Sequence, residues 1–105
     1  MDAIAHAGME QQIVENLRLV LDPELGFNLI DLGMIYSIDI KDGGIVDICM
    51  TTTTPGCPAA GFLTEAVRAS TASVEGVHAV KVELVYEPQW IPEMAAPEVQ
   101  ARFGA

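Results

Sequence analysis

Cysteine is scarce in this sequence. Cys49 and Cys57 are the two present in 105 residues, too few for the disulfide framework of a small secreted domain. Both thiols are expected to be free and to matter through reactivity or metal binding. Bases are scarce as well, five against fifteen acids, which leaves a formal charge of -10. That balance argues against nucleic acid as a partner. The acids are spread along the chain, so the charge reads as a solubility charge on solvated faces. No apolar run approaches the ~18 residues of a bilayer span, and no membrane association is expected. The opening Met1-Asp2-Ala3-Ile4 lacks the basic start of a signal peptide. A cytoplasmic location is the resulting expectation. The two histidines, His6 and His78, stand apart from any ligand pattern, and no internal repeat or low-complexity segment occurs.

Hydrophobic residues make up 50% of the chain, which argues against disorder and for one domain with a modest core. Residues 1–8 read as a flexible lead-in, 9–92 as the domain and 93–105 as a tail in which 98–103 has the composition of a short helix. Met9, Ile13, Leu17, Val20 and Leu21 recur at helical spacing and predict an amphipathic helix over 9–21. Asp22-Pro23 should stop it, since a residue before proline is pushed out of the α region. Residues 34–41 alternate, with Met34, Tyr36, Ile38 and Ile40 on one face, and Asp42-Gly43-Gly44 is a hairpin turn. The return strand puts Val46, Ile48 and Met50 inward and Asp47 and Cys49 outward, where Cys49 reads as an ordinary small residue. A second helix over 59–72 carries Phe62, Leu63, Ala66 and Val67 on one side. A third strand has Val80, Val82, Leu84 and Tyr86 inward. Trp90 should anchor the proline-punctuated segment that follows. This order of helix, hairpin, helix and strand predicts an α+β two-layer sandwich of three main strands with both helices on one face.

The chemistry gathers at Met50-Thr51-Thr52-Thr53-Thr54-Pro55-Gly56-Cys57-Pro58. Proline is favoured at the first helical position, which makes Pro58 the first residue of the second helix and Cys57 its N-cap. A sulfur there faces unpaired backbone N–H groups and the positive end of the helix dipole, both of which favour thiolate. Cysteine is a poor cap beside Ser, Thr, Asp or Asn, so something other than capping is indicated. A second candidate region is the loop from Asp22 to Gly33, which is long and unusually apolar. Asp22, Glu24, Asn28 and Asp31 offer oxygen ligands there. From spacing alone the better reading is that Asp22 orders the turn at Pro23 and Asp31 the turn at Gly33 through backbone hydrogen bonds.

Four blocks stand in order: Asp22-Pro23-Glu24-Leu25, then residues 28–36, then Met50 to Pro58, then residues 82–90 ending in Glu87-Pro88-Gln89-Trp90. In this the chain resembles the SufT/PaaD-like metal-sulfur cluster assembly factors over nearly its whole length. The resemblance implies an iron-sulfur-assembly-like α+β domain and a role in assembling or delivering iron-sulfur clusters to client apoproteins, beside scaffold or P-loop ATPase partners. It makes Cys57 the motif cysteine and a candidate iron or cluster ligand. Asp22 and Glu24 become its acidic companions, and Asp31, Thr54, Pro55, Gly56 and Pro58 the supporting motif. The phenylacetate-degradation version, an oxygenase maturation adapter, typically adds a cysteine-rich C-terminal segment, and no cysteine follows Cys57 here.

Clusters usually require about four ligands, mostly thiolate, and one chain offers fewer. Cys57 is therefore expected to share a labile cluster across a homodimer, to hold iron, sulfide or persulfide in transit, or to act at a junction between client and scaffold. No permanently held cofactor is expected. A dimer is compatible with Ile35, Ile45 and Val85, which place apolar side chains on the outer face of the sheet. The competing class, a thiol enzyme with Cys57 as nucleophile, needs a nearby base, and neither histidine has a motif placing it there.

Overall fold

The computed structural model describes residues 3–53 and 59–103. The elements are α1 (Ala3–Leu17), α2 (Leu29–Leu32), β1 (Ile35–Lys41), β2 (Ile45–Met50), α3 (Ala59–Ala72), β3 (Ala79–Leu84), a 3-10 turn at Pro92–Met94, and α4 (Pro97–Phe103). β1 and β2 form the expected antiparallel hairpin, and β3 lies parallel to β2 on its other side, giving the order β1-β2-β3. A parallel pair requires a crossover, and α3 supplies it. The result is the expected α+β architecture.

One face of the sheet is apolar, and the core is built on it. Val46, Ile48 and Met50 of β2 are buried together with Ile13 and Leu17 of α1 and Leu63 and Val67 of α3. Val80, Val82 and Leu84 of β3 stand opposite Val46, Ile48 and Met50 in the parallel register, so the inward stripe continues across strands. α1 and α3 also meet directly: the Asn16 side-chain amide donates to the Ser70 carbonyl at 3.2 Å and to Ser73 Oγ at 3.1 Å. The opposite face is polar. Asp39 and Asp47 stand directly across the hairpin there, a like-charge pair that Lys41 offsets through its 2.7 Å ion pair with Asp47. That hydrogen bond holds the Lys41 ammonium above its ordinary pKa.

Three details depart from the periodicity. α1 begins at Ala3, inside the expected lead-in, and ends at Leu17 instead of running to Leu21. After Leu17 the bonds shorten to Leu19 N–H to Asn16 O and Val20 N–H to Leu17 O. The chain then turns so that Leu29 N–H reaches Val20 O and Leu21 pairs with Asn28. Val20 keeps its place in the core, whereas Leu21 is left 54% exposed. Phe62 is also outside, 64% exposed, because Leu63, Val67 and Thr71 make up the buried stripe of α3. Finally, the β1 register shifts between Ile35 and Ser37. This bulge puts Ile35 opposite Met50 and packs it against the core, so Ile35 is no part of the outer sheet face.

Candidate functional site

Two stretches carry the motif residues, and Met34 joins the end of the first to the C-terminal end of β2. The first is the link from α1 to β1. Asp22 is 2% exposed, and its Oδ1 accepts from the backbone N–H groups of Glu24 at 2.8 Å and Leu25 at 2.9 Å. Its own N–H donates to Phe27 O, and its carbonyl accepts from Gly26 N–H. Asp22 thus orders the loop from inside, and the short polar side chain suits an Asx turn. The Glu24 carboxylate belongs to an exposed residue on the rim of the same loop.

Asn28 then caps α2, its Oδ1 accepting from Asp31 N–H at 2.9 Å. Asp31 replies with Oδ2, which accepts from Asn28 Nδ2 at 2.9 Å, while Oδ1 pairs with Arg18 at 2.5 Å. The Asp31 carbonyl accepts from Ala96 N–H at 2.7 Å. Asp31 therefore ties the end of α1, the cap of α2 and the tail together. The turn at Gly33 closes instead through Gly33 N–H to Ile30 O and Leu29 O, so Asp31 acts through Arg18, Asn28 and the tail, and only the tertiary fold brings Arg18 and the tail to it.

The second stretch follows β2. Thr51 N–H donates to Met34 O at 2.9 Å, which joins the exit of the first stretch to the start of the second. Thr51 and Thr52 are buried. Thr51 Oγ1 donates to the Thr52 carbonyl, and Thr52 Oγ1 lies 2.8 Å from the Tyr86 hydroxyl. On the other side Val85 N–H donates to Met50 O at 2.8 Å. Beside this junction Tyr36 Oη donates to Pro88 O at 2.8 Å. Burial raises the Tyr36 pKa, a Thr51 hydrogen bond opposes that shift and the neighbouring Cys49 adds to it, so the hydroxyl remains a donor at neutral pH.

Thr54, Pro55, Gly56, Cys57 and Pro58 lie outside the described residues. They are the connection between Thr53, just past β2, and Ala59, the first residue of α3. In sequence that connection leaves the carboxyl end of a parallel strand pair, where open α/β arrangements present their ligands. Among the described residues, no three His, Cys, Asp or Glu side chains come together as a metal-holding group. Cys49 sits on the outer sheet face with Ser37 and Glu83 as its cross-strand neighbours, and His78 is exposed. The Thr52–Tyr86 pair is not legible in the sequence, because the alternation that carries on past β3 marks Tyr86 as inward without naming its partner.

Replacing Asp22 separates its acceptor role from its charge. Asp22→Ala is expected to cost about 1–3 kcal/mol, since two N–H groups of the loop lose their acceptor. Asp22→Asn keeps an Oδ1 acceptor and should lose less than half of that in urea unfolding. Equal losses in the two variants would mean that the charge, and not the acceptor, holds the loop.

A family model described as iron-sulfur cluster assembly protein matches residues 10–84. An Fe-S protein maturation auxiliary factor of Porphyromonas gingivalis is 45% identical over 95 residues, covering 90% of each chain. The Fe-S protein maturation auxiliary factor YitW of Bacillus subtilis is 36% identical over 100 residues, 91% of this chain and 98% of the relative. Among solved structures, a domain of unknown function from Bacillus anthracis superposes with a TM-score of 0.90 at 30% identity, covering 98% of both chains.

Proposed function

The chain belongs to the iron-sulfur cluster assembly protein family, and from that premise we propose that it is a maturation factor whose Cys57 thiolate takes up iron-sulfur cargo and hands it to client apoproteins. The observation that carries this reading is the anchoring of the strand that leads to Cys57. Thr51 is bonded to Met34, Thr52 to Tyr86 and Met50 to Val85, so the chain enters the cysteine connection from three fixed points. These anchors fix the end of β2 from which the connection to α3 departs.

The cargo is an iron-sulfur cluster or its components, which the protein handles as substrate. Thiolate is the form that binds iron, so uptake releases a proton from any thiol still protonated. A cluster needs about four ligands, and the chain contains two cysteines. The remaining donors come from a second copy, a partner protein or the exposed Glu24 of the acidic loop, since Asp22 is buried with its Oδ1 taken up by the loop's own N–H groups. An attachment completed from outside is suited to release, because withdrawing the outside ligands frees the cargo. The names of its relatives refer to maturation, in keeping with an auxiliary role more than with a catalysed reaction. No helix among the described residues is long and apolar enough to cross a membrane.

Anaerobic reconstitution with ferrous iron and sulfide tests the proposal on the wild type, Cys57→Ser and Cys49→Ser. Visible cluster absorbance and oligomer size are followed together. The wild type and Cys49→Ser should acquire the absorbance and Cys57→Ser should lose it. Absorbance unchanged in Cys57→Ser removes that residue as the attachment point, and absorbance in none of the three leaves an adapter that docks client and scaffold without carrying cargo.

A further inference from the structure

The end of α1 and the flank of α3 leave an apolar groove of about 490 Å³ on the helical layer, between Leu19 and Leu21 on one side and Phe62, Ala66 and Ala69 on the other. Its walls are large side chains facing outward: Leu19 is 80% exposed, Phe62 64% and Leu21 54%. Phe62, Ala66 and Ala69 recur at i, i+4 and i+7 and so form one stripe of α3. That stripe lies beside the buried one of Leu63 and Val67. The groove is built from the two stretches that bracket the candidate site, since Leu21 precedes Asp22 and Phe62 stands in the first turns of the helix after Cys57.

We infer that this groove docks a short amphipathic helix of a partner protein, apolar on one side and basic along its flanks. Two observations select that occupant. The first is area. The three exposed side chains present on the order of 300–400 Å² of apolar surface, about half of the ~800 Å² per partner that a stable interface buries. A second copy held by this face alone would not persist, whereas a few helical anchors spaced i, i+3 or i+4, i+7 fit a surface of this size. The second is charge. The chain carries -10, and the two arginines nearest the groove are already engaged, Arg18 with Asp31 and Arg68 with Glu65. Exposed Glu15 and Glu24 flank Leu19 and Leu21 along the chain. Like-charged copies repel, and a basic segment is drawn in by the same field. Brief docking suits a factor that must meet its client and leave. The inference rests on the maturation-factor reading only for the identity of the partner as client or scaffold.

The test uses the full chain without iron, so it stands or falls independently of cluster uptake. A synthetic leucine-lysine peptide patterned as an amphipathic helix and a leucine-glutamate peptide of the same pattern are titrated at physiological salt, by fluorescence anisotropy and by backbone amide shifts. The leucine-lysine peptide should bind with shifts confined to residues 19–21 and 62–70. Phe62→Ser and Leu19→Ser should each weaken it at least tenfold, with circular dichroism unchanged because both side chains are exposed. The proposal is overturned if the leucine-lysine peptide does not bind, if its affinity survives both substitutions, or if the leucine-glutamate peptide binds as well. A wild-type dimer in sedimentation that Phe62→Ser dissociates would also overturn it and assign the groove to a second copy.

Discussion

Trp90→Ala is expected to lower the free energy of unfolding by about 3–5 kcal/mol, an amount comparable to the whole stability of a chain of this size. Trp90 is 9% exposed and lies in the core with residues from every layer. Its indole Nε1 donates to Leu32 O at 2.7 Å, so the side chain joins the segment after β3 to α2. Removing it deletes a large apolar surface, opens a cavity and leaves a buried carbonyl without that donor. Urea unfolding followed by circular dichroism measures the loss. Trp90→Phe divides it: most of the apolar area remains, and about 1–3 kcal/mol should still disappear with the indole N–H. A Trp90→Phe variant as stable as wild type would show that the hydrogen bond contributes nothing. The same variant should also loosen the loop of Asp22, because α2 is the element that ends it.

Gly33→Ala should cost about 2–5 kcal/mol, from two sources that add at one residue. Gly33 has φ 74 and ψ 25 as the C-cap of α2, a left-handed conformation that costs an L-residue roughly 1–2 kcal/mol. A Cβ at Gly33 would also lie 2.3 Å from Met94 O and 2.9 Å from Met94 C. Those are backbone atoms of the 3-10 turn, and they cannot rotate aside as a side chain would. Relief requires the tail to move away from α2, which stretches the Ala96 N–H bond to Asp31 O and the Trp90 bond to Leu32 O. Gly26→Ala is the control, since Gly26 has φ 78 but nothing within 4 Å of the added Cβ. It should show the conformational cost alone. Similar unfolding midpoints for the two variants would mean that the tail yields freely, and that its packing on α2 does not brace the loop.

Both substitutions act on the clamp by which residues 90–96 hold α2, and this clamp was only partly legible in the sequence. Trp90 is the single tryptophan, and a bulky amphipathic ring among prolines announces an anchor. Its acceptor on Leu32 and the approach of Met94 to Gly33 join residues about sixty positions apart, and no local pattern encodes such a pairing. Leu21 and Phe62 show the opposite failure. Helical periodicity marks both as core, yet Phe62 lies beside the buried stripe of α3 and Leu21 falls past the end of α1, and the groove they form exists because two elements leave a gap between them.

The sequence by itself determined the order and type of the main elements, the inward faces of β2 and β3, the exposed His78, the anchoring Trp90 and the family. Alternation, helical spacing, turn residues and four motif blocks are local properties, written in residues that stand near one another in the chain. Only the tertiary structure decided that β3 runs parallel to β2, that a bulge turns Ile35 into the core, that Asp31 is bound by Arg18, Asn28 and the tail, and that Thr52 meets Tyr86. Each of these depends on which surfaces remain free when the layers close, and burial is a property of the whole packed chain.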